Sequence, residues 1–181
     1  MELKDILNRY QESANNRFLA KAIAAPSQSR IHLQGLVGSA DAVVAAALYQ
    51  TQPHPAIFIL GDREEAAYFQ NNIENILGEH KVLFFPSSYK KSFQLETTDS
   101  NLVLERAEVL TRISKSQSHF MVVTYPDAIH EKVVTKRTLE RNTMEARVGE
   151  KISVDFIMEF LNENHFERSD FVYDQIGRAH V

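Results

Sequence analysis

Three short, almost uninterrupted apolar runs, each separated from the next by a helical segment, limit the fold most strongly. They are Ala56-Ile57-Phe58-Ile59-Leu60, Val82-Leu83-Phe84-Phe85 and Phe120-Met121-Val122-Val123-Thr124. Such runs are too short for helices and lack the polar alternation of a half-exposed strand, so they read as strands buried on both faces. Arg30 to Gln34 reads as a further short strand ahead of them. Helical segments of ten or more residues lie between the strands. Strands apolar on both faces, joined by helices, imply an α/β fold: a parallel sheet covered on both sides.

The punctuation agrees with this rhythm. Leu3, Ile6, Leu7 and Tyr10, then Phe18, Leu19, Ala22 and Ile23, recur at spacings of three and four, which predicts two amphipathic helices closed by Pro26. Gly35 to Ser39 reads as a turn and Ala40 to Gln50 as a buried helix rich in Ala and Val. Gly61-Asp62 opens a helix from Glu64 to Leu77 that Gly78 stops. After a polar loop, Ser87 to Thr98, Asp99 or Ser100 caps a helix with Leu102, Val103, Ala107, Leu110 and Ile113 on its inner side.

Beyond Pro126 the pattern changes. Ala128 to Leu139 reads as short helical turns, Thr143 to Val148 as a strand and Gly149-Glu150 as a turn. Ser153 to Asn164 reads as a helix and Phe166 to Tyr173 as a strand. A domain boundary is therefore expected near Val133. The final hexapeptide, Ile176 to Val181, reads as one frame of a common sequencing adapter, so natural sequence is expected to stop near Gln175.

Composition narrows the function classes. No apolar run approaches the roughly 20 residues of a membrane span, and Met1 to Tyr10 lacks the regions of a signal peptide. The absence of cysteine excludes disulfides, zinc-thiolate sites and thiol chemistry, and fits a reducing cytoplasm. A net charge of −4 argues against a chain that coats nucleic acid. The histidines are scattered singly, without the spacing of a metal site, and no Gly-x-Ser-x-Gly elbow surrounds Ser39. Phe58, Phe69, Phe84, Phe85 and Phe120 read as core, and Asp127 as a helix cap.

The stretch from Leu33 to Ala42 has the order strand, glycine-rich turn, helix start that cradles nucleotide phosphates. Gly35, Gly38 and Ser39 stand in the turn. A working loop then needs a second close-approach glycine, a lysine for the terminal phosphates and a hydroxyl for magnesium. Those places hold Ala40, Asp41 and Ala42. A carboxylate repels phosphate where attraction is required, so the loop is expected to be non-functional and the chain to have no catalytic residue and no metal.

Four ordered segments carry a resemblance: Gly35 to Ala40, Phe84-Phe85-Pro86, Leu104 to Leu110, and Val122 to Ala128. Together they resemble the N-terminal region of the bacterial transcription-repair coupling factor (Mfd) family, which is itself similar to the excision-repair helicase subunit UvrB. UvrB keeps the loop lysine; the coupling-factor module has lost it. The periodicity gives an N-terminal helical segment over residues 1–25, and the resemblance implies a helicase-like, UvrB-like domain 1a over 26–133 with a degenerate Walker A loop. It also implies an incomplete α+β UvrA-binding domain over 134–175, whereas the adapter-like hexapeptide makes 176–181 a non-native tail. UvrA is the implied partner, contacted by Lys151, Arg168 and Arg147, although Glu167 weakens the field beside Arg168. The segment from Glu131 to Lys151 has six basic residues against four glutamates, a local positive excess in an acidic chain. ATP, magnesium, RNA polymerase and double-stranded DNA are implied only for other domains of the parent, an ATP-dependent translocase of the cytoplasm. The alternative reading is a fragment of a UvrB-type or other helicase with nucleotide hydrolase activity.

Overall fold

The computed structural model describes residues 2–26, 29–78, 81–89, 99–115, 119–144 and 146–163. The chain divides into two compact units, Met1–Lys132 and Val133–Val181.

The first unit is built on a parallel sheet of β1 (Ala56–Ile59), β2 (Val82–Phe84) and β3 (Met121–Thr124), in the order β1-β3-β2. In register, Phe58 and Phe84 flank Val123, and Ile57 and Leu83 flank Val122. All four β3 residues are buried, as expected for a central strand.

Two helices, α1 (Leu3–Glu12) and α2 (Ala14–Ala24), open the chain as their periodicity predicts. Ser13 caps α2, its Oγ accepting the Asn16 N–H at 3.2 Å. Both pack on α3 (Ala40–Thr51), whose Ala42, Ala45, Ala46 and Ala47 are buried and let neighbours approach closely. Helix α4 (Arg63–Leu77) is capped by Asp62, whose Oδ1 accepts the Glu65 N–H at 2.8 Å, and ends at Gly78 with φ +90°. Its Ala66, Phe69 and Ile73 join the α3 alanines, Val82, Met121 and Val123 in the main core. The Phe58 and Phe69 rings lie 4.9 Å apart there.

Helix α5 (Ser100–Lys115) returns from β2 to β3. The chain moves across the sheet in opposite directions through α4 and α5, so the right-handed rule for parallel crossovers expects them on opposite faces, and no described α5 residue belongs to the core cluster that α4 joins. The inward stripe of α5 is Leu102, Arg106 and Val109, while Val103 is exposed. The expected inner face is thus shifted: a buried arginine, not an apolar residue, occupies its middle. Helix α6 (Pro126–His130) follows β3 directly. Its N-cap is Tyr125, and Asp127 sits inside the first turn, because Pro126 takes the first helical position. Asp127 is therefore not the cap; its carboxylate complements the helix dipole instead.

Two further expectations fail in this unit. Residues 29–37 form no strand; they run exposed and outside the sheet, because no ladder partner engages them. Nor is the sheet covered throughout. Ile57 and Ile59, on the face opposite the main core, remain 64% and 61% exposed.

The second unit contains α7 (Lys136–Arg141) and α8 (Val154–Glu163). Thr135 caps α7 through its Oγ1, which accepts the Thr138 N–H at 3.3 Å. The strand expected over Thr143 to Val148 is absent from its described residues. Thr143 Oγ1 turns back to the Leu139 carbonyl at 2.7 Å, and a turn closes between Arg147 and Glu150, where the Glu150 N–H reaches the Arg147 carbonyl at 3.0 Å. The strand expected over Phe166 to Tyr173 and the terminal hexapeptide lie outside the described residues.

Candidate functional site

The glycine-rich turn leads into the N-terminus of α3 with both Gly35 (φ +80°) and Gly38 (φ +60°) in the left-handed region. A Cβ added at either would meet nothing within 4 Å, so these glycines serve backbone conformation and not a close packing contact. Ser39 is the N-cap of α3, but its side chain accepts no capping bond.

The first helical amides are already committed. The Ala40 N–H points to the Val37 carbonyl at 3.3 Å, and the Ala42 N–H donates to Asp41 Oδ1 at 2.7 Å. Asp41 thus places a carboxylate at the positive end of α3, where an anionic ligand would have to sit. Ala42 is fully buried, so the place of the magnesium hydroxyl belongs to the core. A carboxylate stands at this helix end, and one of its amides is already engaged by it.

A second cluster lies beyond the C-terminal ends of β2 and β3, the end of a parallel sheet where α/β proteins usually place their sites. Arg106, 6% exposed, donates from Nη1 to the Pro86 carbonyl at 2.6 Å and to the Ala128 carbonyl at 3.0 Å. Its guanidinium lies 4.2 Å from the Phe85 ring centroid, and Nε is 3.6 Å from Glu131 Oε2. Glu131 Oε1 accepts from the Ser87 hydroxyl and from the Ser88 N–H at 2.9 Å; Oε2 accepts from the Ser88 hydroxyl at 2.7 Å. The Ser87 N–H donates to the Tyr125 hydroxyl at 2.8 Å.

Burial lowers the Arg106 pKa from its ordinary value, and the charges of Glu131 and then Tyr125 oppose that shift. Burial raises the Tyr125 pKa, while the Ser87 N–H works in the other direction. Among the described residues no histidine is hydrogen-bonded to Ser87, and both Glu131 oxygens accept from serines. The cluster is a polar clasp joining α5, the loop after β2 and the segment that ends α6. Nothing in the motif reading singled it out. The available signal was Arg106 itself, on one helical stripe with Leu102 and Val109.

In the second unit, Arg147 and Lys151 flank one turn. Gly149 has φ +96°, the Arg147 N–H donates to Glu150 Oε2 at 3.2 Å, and Val148 stands fully exposed at the tip. Lys151 is exposed. The turn brings these two predicted partner residues together; Arg168 lies outside the described residues.

Fold and sites define an α/β chain with a small parallel sheet and a glycine turn whose helix end is self-occupied by Asp41. The sequence is similar to the transcription-repair-coupling factor of Bacillus subtilis (strain 168), with 24% identity over 171 residues. The aligned part makes up 94% of this chain and 13% of that protein. No family model matches, and no solved structure matches. No helix among the described residues is long and apolar enough to cross a membrane.

Proposed function

We propose that this chain is a non-catalytic N-terminal module of a transcription-repair coupling factor, with a helicase-like sheet and a recruiting surface for UvrA in nucleotide excision repair. The observation that carries this reading is similarity to such a factor along 94% of the chain. On this reading the chain binds neither ATP nor magnesium. Translocation on double-stranded DNA and contact with RNA polymerase belong to other domains of the parent, and the protein works in the cytoplasm.

The occupied helix end at Asp41 supports the absence of nucleotide chemistry, and the exposed turn at Arg147 and Lys151 supports a partner surface. Arg147 would offer a planar guanidinium for bidentate pairing with a carboxylate, and Lys151 a point charge. Titration calorimetry of the full chain with UvrA tests the reading, comparing wild type with Lys151→Glu and Arg168→Glu after each is checked for folding. Weaker binding by the variants supports it; a folded wild-type chain that does not bind UvrA overturns it. The glycine turn keeps a helicase-type nucleotide hydrolase as the second reading, which ATP turnover by the clean chain would favour.

A further inference from the structure

Helix α6 is held differently from the other helices of the first unit. It has five residues, too few for a helix to stand on its own backbone bonds. Its apolar anchorage is small as well: Ala128 is its one buried residue, and Ile129 is 48% exposed. The Ala128 and Ile129 N–H groups both donate to the Tyr125 carbonyl, at 3.1 and 3.2 Å. Tyr125 itself belongs to the main core, with its ring 6.2 Å from that of Phe84. Beyond Tyr125, what fixes the segment is mostly polar. Arg106 Nη1 holds the Ala128 carbonyl, and the C-cap Glu131 takes the hydroxyls of Ser87 and Ser88 and the Ser88 N–H.

Glu131 is also the last residue of the first unit held by a hydrogen bond to another described residue. Lys132 ends that unit, and residues 132–134 make no such bond before Thr135 caps α7. The bonds to Ala128 and Glu131 therefore decide where the connection to the second unit begins. With them made, it begins at Lys132. With them broken it begins at Pro126, six residues earlier, which adds roughly 20 Å of extended chain. The closed arrangement also carries a cost. Arg106 Nη2 is buried with no hydrogen-bond partner among the described residues, and opening admits water to it.

We propose that residues 126–131 are a latch, closed by Arg106, Ser87 and Ser88, that opens as one piece while the sheet stays folded and so lengthens the connection to the second unit. Opening uncovers little apolar surface beyond Ala128, so the core built on α3, α4 and the sheet survives it. This inference goes beyond the proposed function and does not rest on it.

Residue-resolved hydrogen exchange on the full chain in sub-denaturing urea tests it. The Ala128 and Ile129 amides are expected to exchange at least about 10-fold more slowly than unprotected amides, yet at least about 10-fold faster than Ile73 in α4 and Val123 in β3. Their rates should hardly change with urea, because the opening exposes little surface, whereas those of Ile73 and Val123 should climb. Ser87→Ala/Ser88→Ala removes two donors to Glu131 while leaving its charge beside Arg106, and should speed Ala128 and Ile129 at least about 5-fold. Phe69→Leu weakens the core that stays folded, so it should speed Ile73 and Val123 and leave Ala128 and Ile129 unchanged. If the double serine variant loses the protection of Ile73 and Val123, Ser88→Ala alone takes its place and should speed Ala128 and Ile129 at least about 3-fold. A shared urea slope for all four amides overturns the proposal, since α6 would then open only with the whole unit. So does intrinsic-rate exchange of Ala128 and Ile129 in the wild type, or a serine variant that leaves both rates unchanged.

Discussion

Arg106 and Glu131 meet with Nε and Oε2 3.6 Å apart, and each holds a different part of the first unit in place. Arg106 ties α5 to the carbonyls of Pro86 and Ala128, whereas Glu131 gathers the hydroxyls of Ser87 and Ser88. Nη1 of the arginine satisfies both the Pro86 carbonyl in the loop after β2 and the Ala128 carbonyl in α6, a task that an apolar side chain on the same stripe could not perform. Packing and polar satisfaction are therefore the same feature here.

Removing one member of a buried pair leaves the other uncompensated. Arg106→Ala is expected to destabilise the chain by about 3–5 kcal/mol. Glu131→Gln, which keeps the shape and one acceptor, should cost clearly less. Urea unfolding followed by circular dichroism checks both. Equal losses from the two variants would mean that the charge pairing with Glu131, and not the carbonyl bonds or packing of the arginine, carries the effect.

The raised pKa of Tyr125 sets a pH dependence. The folded state holds the phenol proton more tightly than the unfolded state, so the associated stability is complete below the unfolded pKa of about 10 and is lost as pH rises through the folded value. Tyr125→Phe removes both this titration and the acceptor for the Ser87 N–H, an expected loss of about 1–2 kcal/mol near neutral pH. The gap between wild type and variant should narrow as pH climbs above about 10. Parallel stability curves across that range would refute the assignment.

At the glycine turn, Asp41→Lys restores the residue that a phosphate loop requires. Under the proposed function it should create no measurable ATP hydrolysis, because Ala40 and Ala42 still lack the other two groups. The substitution should also cost about 0.3–1 kcal/mol, since it replaces a favourable carboxylate at the start of α3 with a cation. A phosphate-release assay and a thermal melt read the two effects. ATP turnover gained by the variant would favour the hydrolase reading instead.

What the sequence made legible was whatever is encoded locally. The strand Ala56–Ile59 and the helix Arg63–Leu77 follow from an apolar run, an Asp62 cap and a Gly78 stop, each of which acts on its near neighbours. Pairing is not local. Residues 30–34 have the length of a strand, yet a strand exists only when a neighbour completes its ladder, and here none does. The same holds for the described part of Thr143 to Val148, where side-chain and turn bonds to the preceding helix end compete with extension. Arg106 escaped notice for a different reason. Burial of a charge depends on carbonyls that the fold delivers from Pro86 and Ala128, and no spacing in α5 announces them.

The turn from Arg147 to Lys151 yields the prediction closest to function. Its backbone is set by Gly149 at φ +96°, and its acidic member, Glu150, already accepts the Arg147 N–H. On the proposed function, the exposed ammonium of Lys151 is the group that a partner meets at this turn. Charges at the rim of an interface act mainly on association rate and salt dependence. Lys151→Glu should thus weaken UvrA binding by about 10-fold, chiefly through slower association, with a smaller effect at high salt. Gly149→Ala strains the turn without changing charge, so it should weaken binding only as far as it misplaces Lys151. Surface plasmon resonance at two ionic strengths separates these effects. A Lys151→Glu loss that appears only as faster dissociation and ignores salt would place Lys151 in a buried contact instead of on the rim.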